Sequence, residues 1–139
     1  MSDILKKYGE VIGFHAMDSL LAIAERLEGK KIVHVNSTKE GGGVAEILSS
    51  MVPLSQELGL DVAWEVIEGD EPFSNCTKTL HNSLQGMAGG LSQSQAGAYM
   101  DTNRKNAERL KDVLESADYV FNHDPQPAAL LGLFPKRKG

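Results

Sequence analysis

Cysteine is nearly absent from this 139-residue chain: Cys76 stands alone, so no internal disulfide can form. That points to a reducing compartment, and a cytoplasmic protein is expected. No apolar run approaches the roughly 20 residues that span a bilayer. The N-terminal stretch MSDILKKYGEVIGF is charged throughout and lacks the apolar centre of a secretion signal, so no membrane partner is expected. Positive charge is scarce as well. Lys and Arg number 14 against 19 Asp and Glu, a net charge of −5, and the basic cluster Lys136-Arg137-Lys138 is too short to form a patch. A nucleic-acid partner is therefore not expected either. The four histidines show no metal-ligand spacing and Cys76 has no cysteine partner, so no metal site is expected.

What is present is one domain's worth of ordinary globular chain, 41% hydrophobic and 24% charged. Its most telling segment is Lys30–Leu48, KKIVHVNSTKEGGGVAEIL. An apolar run, a polar corner, three glycines and an apolar periodic segment follow one another. That order reads as strand, glycine-rich turn and helix N-terminus, the unit with which α/β proteins present backbone N–H groups to phosphate or sugar. Residues 3–28 carry the spacing of one or two amphipathic helices, broken near Gly13 and stopped by Gly29. Strands are expected at Ile32–Asn36, Asp61–Ile67 and Tyr119–Asn122. Helices are expected at Val44–Leu58, kinked at Pro53, at Cys76–Gln85, over 93–115 behind a Ser92/Gln95 capping box, and at Ala128–Leu133 behind Pro127. Strands alternating with helices predict an α/β fold with a parallel sheet, whose ligands sit beyond the strands' carboxyl ends. Three segments fall there: Asn36–Gly43, Glu68–Asn75 and His123–Gln126. A three-stranded sheet leaves both edges to be covered, so 1–139 reads as a single, incomplete domain that associates with itself.

The glycine loop is neither a P-loop, for no Gly-Lys-Ser/Thr follows it, nor a dinucleotide fingerprint, because Glu46 stands where a small residue is needed. Three glycines destabilise a turn that could have used one, which favours a ligand at Gly41-Gly42-Gly43 over a bare turn. His123-Asp124 at a strand end admits two readings, a polar ligand site or a helix N-cap at Asp124. His81 and Gln85 share a helix face beside Asn82, suited to sugar hydroxyls or to a plain solvated stripe. His34 reads as a hydrogen-bonded core histidine, His15 as a surface residue, and Trp64 as core or the shield of a site edge. Asn103-Arg104 and Arg109 read as a solvated helix face.

Four blocks, HVNSTKEGGGVAEIL, VPLSQELGLDVAWEVIEG, NCTKTLHNSLQG and YVFNHDPQPAAL, together resemble the N-terminal domain of trehalose synthases of the glycosyl-transferring type. These are retaining, two-domain glycosyltransferases of the B fold. The resemblance implies a three-layer Rossmann-like domain, the N-terminal half of such an enzyme, with the C-terminal nucleotide-sugar domain missing. It implies that Gly41, Gly42 and Gly43 approach the donor's diphosphate and sugar. Asp124 is implied as the catalytic acidic residue against the acceptor sugar, with His81, Asn82, Gln85, His123 and Gln126 on the acceptor side. The implied reaction transfers glucose from a nucleoside-diphosphate glucose to glucose with retention, without a cofactor, and the chain alone is expected to be inactive. A trehalose phosphorylase shares this fold and these loops, and a non-catalytic sugar- or phosphate-binding module is the reading from another class.

Overall fold

The computed structural model describes residues 2–139. Three strands, β1 (Lys31–Asn36), β2 (Asp61–Val66) and β3 (Tyr119–Asn122), form one parallel sheet in the order β2-β1-β3. Lys31 is level with Asp61 and Asn36 with Val66 on one side of β1, while Ile32 is level with Tyr119 and Val35 with Asn122 on the other. The central strand is apolar because both its faces are covered. Alternation along β1 sends Ile32 into a cluster with Leu48, Val52 and Val62, and sends Val33 and Val35 into a second with Phe73, Ala107, Leu114 and Leu130. The first cluster lies under helix α3 (Gly43–Glu57), the second under α4 (Glu71–Leu84), α5 (Gln93–Arg109), α6 (Lys111–Ser116) and α7 (Leu130–Leu133). The result is the expected three-layer, Rossmann-like α/β arrangement. Two further helices, α1 (Asp3–Ile12) and α2 (Phe14–Glu25), precede the sheet and part at Gly13.

The structure corrects several expected boundaries. Helix α4 begins at Glu71 rather than Cys76, because the Asp70 carboxylate accepts from the Phe73 N–H at 3.0 Å and Pro72 fits the first turn. The expected helix over 93–115 is two helices. Its capping box is present, with Gln95 N–H donating to Ser92 Oγ at 3.2 Å and Ser92 N–H to Gln95 Oε1 at 3.0 Å. The break falls at Leu110, which is buried in the core and turns the chain so that α6 can pack on β1. Helix α3 runs through Pro53 from end to end. The last helix shrinks to Leu130–Leu133, preceded by a tight turn in which the Leu130 N–H donates to the Pro127 carbonyl at 3.0 Å.

On the α3 side the sheet is covered unevenly. Tyr119 and Phe121 of β3 are about half exposed, at 45% and 50%, as the open edge led one to expect. Among the described residues, no helix is long and apolar enough to cross a membrane.

Candidate functional site

All three strands point their carboxyl ends to one side of the molecule, and a cleft of about 610 Å³ opens there along α4. Ser37 after β1, Asp70 after β2 and Gln126 after β3 line it, facing Lys78, His81 and Asn82 of α4. Most of its lining residues are polar, with Phe73 and Ile67 as apolar members. Gln126 Oε1 is buried and has no protein partner among the described residues.

The glycine loop is built by the residues ahead of it. Buried Asn36 accepts from Trp64 Nε1 at 2.8 Å and donates through Nδ2 to the Thr38 carbonyl at 2.6 Å. Trp64 is half-buried against the cluster of Ile32, Leu48, Val52 and Val62, and Lys39 of the loop lies 5.5 Å from its ring centre. Gly41 and Gly42 take φ of 73° and 87°, left-handed values that side chains resist. Gly42 caps α3 without a side chain, so the first N–H groups of a 15-residue helix stay open to an anion. The loop itself is exposed and does not line the cleft.

The structure places the other expected site residues in different ways. His81, Asn82 and Gln126 come together in the cleft. Gln85 does not: it ends α4, and its amide pairs with His81 Nε2 at 2.9 Å on the exposed face. His123 faces inward, its Nε2 lying 3.0 Å from His34 Nδ1. Asp124 is exposed and takes a φ of 67°, so it caps no helix. Pro125 excludes the helical conformation from the residue before it, and aspartate tolerates the left-handed one.

Sequence reasoning missed the frame that holds these loops, and it lies on α5. Asn103, expected on a solvated face, is fully buried and donates through Nδ2 to the carbonyls of Tyr99 and Gln126 at 3.0 and 3.2 Å. The Tyr99 hydroxyl donates to the Pro125 carbonyl at 2.7 Å and accepts from the Ala129 N–H at 3.2 Å, while burial pushes its own acidity down. Asn106 clasps the backbone of Glu68, accepting its N–H at 2.8 Å and donating to its carbonyl at 2.7 Å. Arg109 reaches the Val66 carbonyl at 2.6 Å and the Asn106 side chain at 2.9 Å, a structural strut rather than a solvated charge. Arg104 does face solvent, paired with Asp101 at 2.8 Å. The spacing of Tyr99, Asn103 and Asn106 (i, i+4, i+7) is the signal that would have placed them on one inward face. Among the described residues no group of three metal-ligating side chains forms, and Cys76 is buried, its thiol pushed up in pKa by that burial.

A sequence family described as "Trehalose synthase, N-terminal domain" matches residues 34–139, from the middle of β1 to the last residue. The chain belongs to that family. It is 47% identical over 135 residues to a trehalose synthase of Thermococcus litoralis, covering 96% of this chain and 32% of that protein. With a trehalose synthase of Rubrobacter xylanophilus the identity is 44% over 124 residues, 89% of this chain and 30% of the relative. A trehalose phosphorylase of Pleurotus pulmonarius is 32% identical over 144 residues, 96% of this chain and 20% of the relative. The chain therefore spans about a third of the trehalose synthases it matches.

Proposed function

We propose that this chain forms the acceptor side of a retaining glycosyltransferase that moves glucose from a nucleoside-diphosphate glucose to glucose, making trehalose. The observation that carries the reading is the cleft at the strand ends, where Asp70, Thr77, Lys78, His81 and Asn82 line one space and offer acceptors and donors to a polyol. Membership of the trehalose synthase family supports the sugar class. In this reading the open N–H groups at Gly42–Val44 meet the donor's diphosphate, and Asp124, two residues before Gln126 of the cleft, receives the acceptor sugar. The exposed left-handed position of Asp124 suits a carboxylate that closes on a ligand rather than on its own chain. The nucleotide is held by a second domain, which the remaining two thirds of a full-length relative would supply, and the chain alone transfers no sugar. Transfer requires donor and acceptor to be fixed together, and neither a cofactor nor a strong protein base is invoked.

Titration of the chain with glucose, trehalose and UDP-glucose, followed by backbone amide NMR, tests this. Saturable shifts at Thr77–Asn82 and Gln126 with glucose or trehalose are expected. No shift at these amides with either sugar would refute the acceptor-site reading. The similarity to trehalose phosphorylases favours one second reading, transfer to or from free phosphate. It predicts that inorganic phosphate, rather than UDP-glucose, shifts the amides of Gly41–Val44.

A further inference from the structure

β3 is an edge strand, and no further strand pairs with its outer side among the described residues. Val35 of β1 is level with Asn122, and its carbonyl accepts from the His123 N–H at 2.9 Å. A strand turns its peptide groups alternately to either side. Phe121 and His123 therefore serve β1, while Val120 and Asn122 aim their N–H and C=O groups outward. Among the described residues no turn or loop backbone bonds to those four groups. An open row of this kind is a template for another strand.

The edge also carries opposite charges at its two ends. At the entry to β3, Lys30 and Lys138 share the Asp118 carboxylate at 3.8 and 2.7 Å, which leaves one positive charge in excess. At the exit stands Asp124, exposed. Two such edges fit one another antiparallel, because the basic entry of each then meets the acidic exit of the other.

The open groups select the register. With Val120 opposite Asn122 of the second copy, every outward group is paired, in four N–H···O bonds across the two-fold axis. Phe121 then faces Phe121 of the second copy, at a position where side chains approach most closely, with each Tyr119 on the diagonal. Both rings are about half exposed and free to meet. Setting Val120 against itself would place Asn122 opposite Asp118, whose N–H already donates to the Lys31 carbonyl at 2.8 Å. Setting Asn122 against itself would place Val120 opposite Asp124, which has left the strand with a φ of 67°.

We propose that β3 docks a second copy of this chain, edge to edge and antiparallel about Phe121, so that two three-stranded sheets become one continuous sheet. No residue of the pairing lines the cleft, so it stands apart from the acceptor-side reading. A four-residue strand buries less than the roughly 1,200 Å² of a stable specific interface, so association is expected at tens of micromolar.

Hydrogen exchange of the unsubstituted chain at about 10 and about 500 micromolar reads the edge directly. The Val120 and Asn122 amides should exchange roughly tenfold more slowly at the higher concentration, while Phe121, already bonded within the sheet, changes far less. A chain that stays monomeric at the higher concentration overturns the proposal. So does a dimer in which the Val120 and Asn122 amides keep one rate throughout; exposed Val11 and Phe14 would then be the faces that join. Mild oxidation of two single variants reads the register. Phe121→Cys should cross-link as a dimer, because facing residues at that position lie about 4.5 Å apart between Cα atoms. Tyr119→Cys, opposite His123 of the second copy, should cross-link several-fold more slowly, and native Cys76 is buried in both. Equal cross-linking of the two variants would overturn the pairing about Phe121.

Discussion

Replacing Asn106 with alanine should open the loop after β2 before anything else in the molecule gives way. Asn106 is 2% exposed and makes both of its Glu68 backbone bonds at 2.7–2.8 Å, with a third from Nδ2 to the Thr102 carbonyl at 2.9 Å. Each contributes about 1 kcal/mol net, and the cost is higher for whichever Glu68 group fails to find water. Arg109 loses one acceptor but keeps the Val66 carbonyl, so the strut weakens without breaking. Alanine is the better helix former by about 0.5–0.7 kcal/mol, which offsets part of the loss. The balance is a destabilisation of about 2–3 kcal/mol, or a fall in Tm of roughly 6–10 °C for a chain of this size. Urea unfolding reads the first figure, and hydrogen exchange should show the Glu68 amide released. A loss below about 0.7 kcal/mol, with Glu68 still protected, would refute the idea that α5 holds the cleft wall through this side chain.

Gly42→Ala puts a side chain on a residue with φ of 87° and should cost about 1–2 kcal/mol, seen as earlier urea unfolding and faster exchange in the first turn of α3. An unchanged midpoint would count against strain at that position. Burial, then the charge of His123, lowers the pKa of His34 from 6.5, so the unfolded chain binds that proton first. Stability from His34 is therefore complete above about pH 6.5 and drains away as the pH falls below it. His34→Phe should flatten that slope, and equal slopes in both chains would refute the assignment. Exposed Tyr119 and Phe121 should make the chain self-associate. Light scattering at tens of micromolar should show a dimer or larger that Phe121→Lys reduces to a monomer, whereas a monomeric unsubstituted chain would end the idea.

Local features of the sequence determined much of the fold. The apolar run of β1 meant a strand covered on both faces, and the alternation of strands and helices meant a parallel sheet with three named loops at its carboxyl edge. Ser92 and Gln95 dictated a helix start through contacts three residues apart. Asp70 did the same for α4, although its polar first turn reads as loop by periodicity alone. What tertiary structure alone decided is how the loops are held. Asn106 grips a backbone 38 residues away, Arg109 one 43 residues away, and His34 meets a ring 89 residues away. Periodicity records only which face of an element is apolar. A buried asparagine or histidine looks like a solvated one until the fold brings its partner within hydrogen-bond reach, because the energy that buries it lies in that distant contact and not in its neighbours along the chain.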